Sequence, residues 1–331
     1  RTEARTDIAQ QDPLVYSFSI PMGRMIWAIA LSLPAALGSN LIGDEIEDGY
    51  LPMPGGVMVH RDCIHHHEDA FLVQELPNNA TSVGENIYPE CPHPMKRNAQ
   101  SAPNYYSDWV AYASAANPKS GYSFMSSKWK VPSAPKSHGP LGLSSIYIFN
   151  GLEDGSGHHG ASSFIMQPVL SFGKSGCVIN PLNYGRWNFL SFYVSNSGRA
   201  HCGPRIPVKE GDLLYGAMEK VEGEEKNTWD VISTLLSTNK TSTYRAVLED
   251  AVVVDAAYIT IEAMILYSCN AYPAGNVTFT ENMLTAAVTK ERFHNKGISW
   301  KPVVRHSECD QGVQFSPNGD VTLIYDPTKN N

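Results

Sequence analysis

The chain has 331 residues, of which 42% are hydrophobic and 18% are charged, and its formal net charge is −8. This apolar content is sufficient for a sizeable core and excludes an intrinsically disordered protein. The negative charge and the lack of a Lys/Arg run argue against nucleic acid or an anionic membrane as the partner.

Residues 1–100 are predicted to form a small irregular N-terminal unit, because turn residues interrupt their patterns. A strand pattern at 16–20 precedes an apolar run at 25–37. That run is shorter than the roughly 20 residues that a membrane span needs, so it is interpreted as buried structure. Further strand-like pieces are predicted at 56–60 and 70–76. The unit ends near a basic pair, Lys96-Arg97, where a processing cut is conceivable.

Four histidines in this unit could ligate a transition metal: His60, His65, His66 and His67. On a strand, however, neighbouring side chains point to opposite faces, and no CxxC or HExxH spacing accompanies them. No metal site and no cofactor are therefore predicted.

Closely spaced strand patterns with turns fill residues 101–285 and predict an all-β fold, an antiparallel β-sandwich; residues 286–331 are predicted to wrap it. The patterned runs are 122–131, 144–150, 161–172, 187–194, 213–221, 229–236, 243–248 and 252–267.

Two of these runs carry a conspicuous polar residue on one face. In 161–172 one alternate set is apolar and Gln167 belongs to the other, while in 257–267 Glu262 shares its set with Tyr258. A carboxylate in so apolar a segment is costly to bury unpaired, so Glu262 should line solvent or a polar cleft. An ordinary solvated strand glutamate is the alternative interpretation.

Five short motifs follow one another along residues 122–270. They are Trp-Lys-Val-Pro-Ser-Ala at 129–134, Phe-Asn-Gly-Leu at 149–152 before two acids and a glycine, Phe-Ile-Met-Gln at 164–167, Glu-Gly-Asp at 210–212 and Ala-Tyr-Ile-Thr-Ile-Glu at 257–262. Their order and spacing resemble those of the glutamic peptidases, the eqolisin family. This resemblance implies a secreted, acid-acting endopeptidase on a concanavalin A-like β-sandwich. It also implies that residues 1–100 correspond to a propeptide.

The resemblance implies that Gln167 and Glu262 are the catalytic pair. A glutamate can accept a proton from water in mild acid, and an amide can donate a hydrogen bond to the oxyanion that then forms. If both strands belong to one sheet, we expect the two side chains within about 5 Å of each other and reachable from solvent. Four further residues are predicted to bind the polypeptide substrate: Phe149, Glu153, Trp187 and Tyr258.

Two other classes of function remain open, a carbohydrate-binding or glycan-cleaving sandwich and a structural glycoprotein, because one fold hosts many functions. Aromatic residues such as Trp187 and Tyr258 could form a wall for sugar stacking or belong to the core. The polar residues of the glycine-rich loop could bind a cation or form a solvated turn: Glu153, Asp154, His158 and His159.

Six cysteines and three Asn-x-Ser/Thr sequons predict an oxidising, secretory route. Proximity in sequence predicts the disulfides Cys63–Cys91, Cys177–Cys202 and Cys269–Cys309. N-glycans are predicted at Asn79, Asn239 and Asn276.

Overall fold

The computed structural model describes residues 49–97, 106–117, 119–138, 144–155, 164–195, 197–266 and 268–329. Within these ranges the chain forms strands and short 3-10 turns, and no α-helix, so the all-β prediction is confirmed. The predicted pattern at 16–20 and the apolar run at 25–37 lie outside the described residues. No helix among the described residues is long and apolar enough to cross a membrane.

The chain order of the strands is β1 (Tyr50–Met53), β2 (Val57–His60), β3 (Ile64–His66), β4 (Phe71–Leu76), β5 (Ala80–Val83), β6 (Asn86–Tyr88), β7 (Lys96–Arg97), β8 (Tyr106–Ala116), β9 (Tyr122–Lys130), β10 (Ser145–Glu153), β11 (Ile165–Gly173), β12 (Trp187–Val194), β13 (Ala200–Cys202), β14 (Ile206–Val208), β15 (Leu213–Lys220), β16 (Asn227–Leu235), β17 (Lys240–Leu248), β18 (Ala256–Leu266), β19 (Val277–Ala286), β20 (Arg292–His294), β21 (Lys301–Val304), β22 (Gly312–Phe315) and β23 (Val321–Ile324). The 3-10 turns are Arg61–Cys63, Pro77–Asn79, Pro181–Asn183, Cys269–Ala271 and Asn295–Gly297.

The strands form two large sheets and one small sheet. The front sheet has the order β21-β8-β18-β10-β11-β12-β13-β3, with β14 beside β12. The back sheet has the order β22-β23-β19-β9-β15-β16-β17-β4-β5-β6, with β20 beside β19, and β1-β2-β7 form the small sheet. The predicted antiparallel sandwich is confirmed, with two parallel pairings added, β13 with β3 and β17 with β4.

The main core lies between the front and back sheets. Alternate residues of the front strands, such as Met166 and Ile261, enter one apolar cluster with residues of the back strands, such as Trp129 and Trp229. Burying each such side chain contributes about 1.5–3 kcal/mol. The sheets approach closely where the back strand has Gly216, since a Cβ at that position would lie 2.5 Å from both Pro168 and Asn150 of the front sheet.

The opposite side of the front sheet, called here the outer face, carries a second apolar cluster that includes Tyr147, Phe149 and Tyr258. Strands β1 and β2 form a hairpin, residues 50–60, and its Met53 and Val59 are buried in this same cluster. The hairpin therefore covers the part of the outer face that carries Tyr147 and Glu262, a face that a sequence pattern of mixed polar and apolar residues had suggested to be solvated.

The predicted disulfides are all confirmed, and they account for every cysteine of the chain. They join Cys63 to Cys91, Cys177 to Cys202 and Cys269 to Cys309. The first bond lies wholly within residues 49–97 and the other two lie wholly beyond residue 106. No disulfide thus fastens the first described segment to the rest.

Residues 49–97 also contribute to both large sheets, because β3 extends the front sheet and β4 to β6 extend the back sheet. The division of the chain at about residue 100 stays a prediction. The predicted C-terminal wrap supplies β20 to β23, which pair along the β8 and β19 edges of the two sheets.

Candidate active site

Gln167 and Glu262 both lie on the outer face of the front sheet, on β11 and β18. Their alternate neighbours Val169 and Tyr258 belong to the outer cluster, whereas Met166 and Ile261 belong to the core between the sheets. The period-2 pattern of each strand thus predicted the face of each residue.

The two residues nevertheless lie in different rows of the sheet, where a row is a set of residues that pair directly across neighbouring strands. Glu262 is paired with Tyr147 of β10, and Tyr147 is paired with Ser171 of β11. Gln167 is four residues from Ser171, so about 13 Å along the strand and about 10 Å across two strand spacings separate Gln167 from Glu262, or about 16 Å in all. Strand side chains stand roughly perpendicular to the sheet, so one water cannot bridge the pair. The expected 5 Å approach is not observed.

The expected access from solvent is not observed either, because Gln167 and Glu262 are both 0% exposed. The hairpin supplies the cover over Glu262. Its turn donates two backbone hydrogen bonds to the carboxylate, from Gly55 N to Oε2 at 2.9 Å and from Gly56 N to Oε1 at 2.7 Å. Positive φ angles of 96° and 70° aim these amides, a conformation that favours glycine.

Tyr147 holds the hairpin beside this carboxylate. Its hydroxyl donates to Pro52 O at 2.9 Å, and Gly176 N donates to the same carbonyl at 3.0 Å. Burial, and then the charge of Glu262, raise the pKa of Tyr147 well above its usual value, so the phenol stays a hydrogen-bond donor. Sequence reasoning considered Tyr147 only as one of the aromatic residues of a possible sugar-stacking wall, and it missed Gly55 and Gly56; the only signal for the two glycines was a Pro-Gly-Gly turn between two short apolar runs.

Gln167 has the opposite environment. Among the described residues neither its Oε1 nor its Nε2 has a hydrogen-bond partner, although both atoms are buried. Leaving a buried polar group unpaired costs about 1–3 kcal/mol, and Gln167 is one of several buried side chains among the described residues whose polar atoms lack a partner. An amide kept free on the outer face is suited to bind a carbonyl or an oxyanion.

The comparisons with known proteins identify solved structures of similar fold. Two are of scytalidoglutamic peptidase with transition-state analogues, at 13% and 14% identity and a TM-score of 0.47 for both; a third is SCP-B, a member of the eqolisin family in complex with the tripeptide Ala-Ile-His, at 13% identity and a TM-score of 0.46. Each covers 67% of this chain and 99% of its own. No protein-family model matches the chain, and no curated protein matches its sequence.

Three of the four predicted substrate-binding residues share the outer face with Gln167. Phe149 is wholly buried there, Tyr258 is 3% exposed and Glu153 is 9% exposed. The structure corrects the prediction that Trp187 binds the substrate. Trp187 lies in the core between the sheets, on the other face, because β12 directs Trp187 and Phe189 inward together. It cannot contact a substrate bound at Gln167.

Glu153 is the acid whose chemistry is most altered by the fold. Burial raises the pKa of its carboxyl to about 7, a hydrogen bond with Tyr258 lowers the pKa, and Asp154 and Asp255 raise it further. Trp109 and Tyr112 pack edge to face on Tyr258, with ring centroids 4.9 Å and 5.9 Å away, which keeps this part of the face apolar. His158 and His159, grouped with these acids in sequence, lie outside the described residues.

The predicted histidine cluster divides between two places. His65 and His67 meet His201 where β3 pairs with β13; His67 Nε2 lies 3.2 Å from His201 Nδ1, and Arg199 Nη1 lies 3.1 Å from His65 Nε2. Burial lowers the pKa of His201 to about 2 and that of His65 to about 4.

A separate group combines His60 with two residues that the sequence did not single out, Asp62 and His93. One ligand atom from each lies within 4.8 Å of the others, so these three are the side chains best placed among the described residues to hold a metal ion. They lie beside the hairpin, since His60 is the last residue of β2.

Proposed function

We propose that the protein is a secreted endopeptidase of the glutamic peptidase type, which hydrolyses peptide bonds in unfolded polypeptides with Gln167 as the oxyanion donor. The observation that carries the proposal is the unpaired, buried amide of Gln167 on the outer face. The order of sequence motifs around it, which resembles that family, supports the same reaction. Backbone and amide donors aimed at a developing oxyanion are the largest catalytic contribution in many such sites.

The described state is a closed state, because the hairpin lies over the outer face and Glu262 is held by its turn. A polypeptide substrate needs that face to be open. The chain offers a simple route, since no disulfide ties residues 49–97 to the remainder and Lys96-Arg97 ends this segment. After a cut behind this basic pair, the hairpin can leave once β3 separates from β13 and β4 separates from β17.

Secretion is part of the proposal. Three disulfides that use all six cysteines fit an oxidising compartment. The three sequon asparagines are exposed, as glycan acceptors must be: Asn79, Asn239 and Asn276. Expression in a secretory host followed by enzymatic deglycosylation should reduce the mass at all three positions.

The function is tested with the full chain, intact and after cleavage by a protease specific for dibasic pairs, on an unfolded protein substrate from pH 3 to 8. We expect cleavage by the cut chain and a loss of about a hundredfold or more in Gln167→Ala. The matched control is Gln314→Ala, an exposed glutamine on β22, which should cleave at the wild-type rate. Absence of cleavage at every pH, or full activity of Gln167→Ala, would contradict the proposal.

A polysaccharide panel run in parallel addresses the alternative class. The aromatic side chains of the outer face pack against one another instead of presenting a flat wall, and Trp109, Tyr112 and Tyr258 are each less than a tenth exposed. Glu153 and Glu262 lie on opposite sides of the Gln167 row, too far apart for a glycosidase pair of about 5–9.5 Å. Peptide hydrolysis is therefore the function that the geometry favours.

A further inference from the structure

The row of the front sheet that holds Gln167 does not contain Glu262, and a different residue occupies the matching position on β18. Phe149 pairs with Val169 and Leu152 with Met166, so Gly151 of β10 lies opposite Gln167. Gly151 in turn pairs with Tyr258 of β18. Tyr258, Gly151 and Gln167 thus form one row.

The nearest acid to this row on the outer face is Glu153. It pairs with Ile165, two residues before Gln167 on β11, so Glu153 and Gln167 are diagonal neighbours. Diagonal neighbours on one face are about 7–8 Å apart, within reach of two long side chains. Tyr258 donates its hydroxyl hydrogen to the Glu153 carboxylate from the other side.

The Ile165 side chain packs over Gly151. A Cβ at this position would lie 3.0 Å from Ile165 Cδ1, so the row that holds Tyr258 and Gln167 accommodates Ile165 because residue 151 is glycine. Among the described residues the Gln167 amide has no hydrogen-bond partner, and both of its polar atoms are buried, so a bound molecule reaches them only when this face opens.

We propose that Glu153, oriented by Tyr258, is the acid–base group that works with Gln167 on a peptide carbonyl, and that Glu262 is the anchor of the hairpin. This inference rests on the proposed peptidase function and names its second catalytic residue. The carboxylate of Glu153 takes one proton from water as the water oxygen bonds to the carbonyl carbon. The π electrons move to the carbonyl oxygen, which accepts a hydrogen bond from Gln167 Nε2.

The second half of the reaction returns the proton. The electron pair on the oxyanion reforms the carbonyl, the C–N bond breaks, and Glu153 gives its proton to the leaving nitrogen. The hydroxyl of the water remains on the new carboxyl group and its other hydrogen is on the amine, so all atoms are accounted for. Tyr258 keeps its own proton throughout, because burial and the charge of Glu153 raise the pKa of its phenol well above the usual value.

The two candidate acids predict different pH profiles. A base must be ionised before it accepts a proton, and the buried Glu153 carboxyl has a pKa of about 7. We therefore expect kcat/KM to rise with pH and to reach half its plateau near 7, against about 4.3 for a glutamate of ordinary pKa. Loss of the Tyr258 hydroxyl removes the hydrogen bond that lowers this pKa. Tyr258→Phe should therefore move the rising limb of the kcat/KM profile to higher pH.

The experiment measures kcat/KM of the cut full chain from pH 3 to 9 for the wild type, Glu153→Gln, Glu262→Gln and Tyr258→Phe, with the exposed Glu225→Gln as control. We expect a loss of about a hundredfold or more in Glu153→Gln, retained activity in Glu262→Gln and the shifted limb in Tyr258→Phe. If Glu153→Gln does not fold, the pH at which the wild type reaches half its plateau, and the shift of that pH in Tyr258→Phe, still distinguish Glu153 from Glu262 as the base.

Three results would overturn the inference in distinguishable ways. An active Glu153→Gln beside an inactive Glu262→Gln assigns the base to Glu262 and leaves the proposed function standing. A wild-type profile that reaches half its plateau near pH 4, and that Tyr258→Phe does not shift, also assigns the base to Glu262. A wild type that cleaves no polypeptide at any pH removes the proposed function and the inference together.

Discussion

Replacing Glu262 by glutamine should loosen the hairpin by an amount that its hydrogen bonds determine. The carboxylate accepts from Gly55 N at 2.9 Å and from Gly56 N at 2.7 Å, and it is 0% exposed. Hydrogen bonds to a charged group contribute about 1.5–3 kcal/mol each. Glutamine keeps one acceptor and turns an NH₂ group towards the other amide, so one bond is lost and two donors face each other. We expect the closed hairpin to be destabilised by about 3 kcal/mol, or roughly a hundredfold in its opening equilibrium.

Native-state hydrogen exchange measures this opening directly. In the wild type the amides of Gly55 and Gly56 should be protected, and in Glu262→Gln they should exchange roughly a hundredfold faster, while strands of the main core keep their rates. The control is Glu225→Gln, on an exposed turn, which should leave all rates unchanged. Equal protection of the two amides in Glu262→Gln and in the wild type would refute the assignment of Glu262 as an anchor.

The remaining predictions concern His201 where β3 pairs with β13, cleavage at Lys96-Arg97 and the packing between the two large sheets. Because burial keeps His201 neutral with a pKa of about 2, while the unfolded chain protonates it near 6.5, stability should be complete above pH 6.5 and fall by up to about 1.4 kcal/mol per pH unit below it, as urea unfolding at pH 7.5 and 5 would show; equal midpoints would contradict this. After cleavage behind Lys96-Arg97 the chain should separate into two pieces on a non-reducing denaturing gel, since no disulfide crosses the cut; a single band would mean a different pairing. Gly216→Ala should cost about 1–3 kcal/mol in unfolding free energy, because its Cβ would lie 2.5 Å from Pro168. Gly297→Ala, with nothing within 4 Å, is its control, and similar losses in both would contradict the overpacking argument.

The face of each strand could be predicted from sequence and its register could not. Alternation places Gln167 and Glu262 on one side of the front sheet whatever their partners are. The residue that lies opposite Gln167 depends on how β10, β11 and β18 slide against one another, and the pattern of buried and exposed positions repeats every second residue. A shift of four residues along β18 preserves every face and exchanges Tyr258 for Glu262 in the row of Gln167.

Some strands also escaped prediction for physical reasons. The strand Tyr106–Ala116 carries alanine at three of its inward positions, Ala111, Ala113 and Ala115. Alanine has a low β propensity and gives a weak apolar signal, so the alternation there was not recognised. Docking of the hairpin was unpredictable for another reason: backbone amides bind Glu262, and the two glycines that carry them have no side chain to indicate a partner.

The two buried glutamates of the outer face have environments that separate their roles. Glu262 accepts hydrogen bonds from a turn that belongs to the hairpin, whereas Glu153 is surrounded by Tyr258 and other residues of the front sheet itself. Departure of the hairpin therefore removes the partners of Glu262 and leaves the hydrogen bond between Tyr258 and Glu153 in place. The pH limb near 7 should then be a property of the front sheet, and it should not move when the hairpin is loosened by Glu262→Gln. Loss of this limb together with the activity in the variant would place the titrating acid under the hairpin, at Glu262.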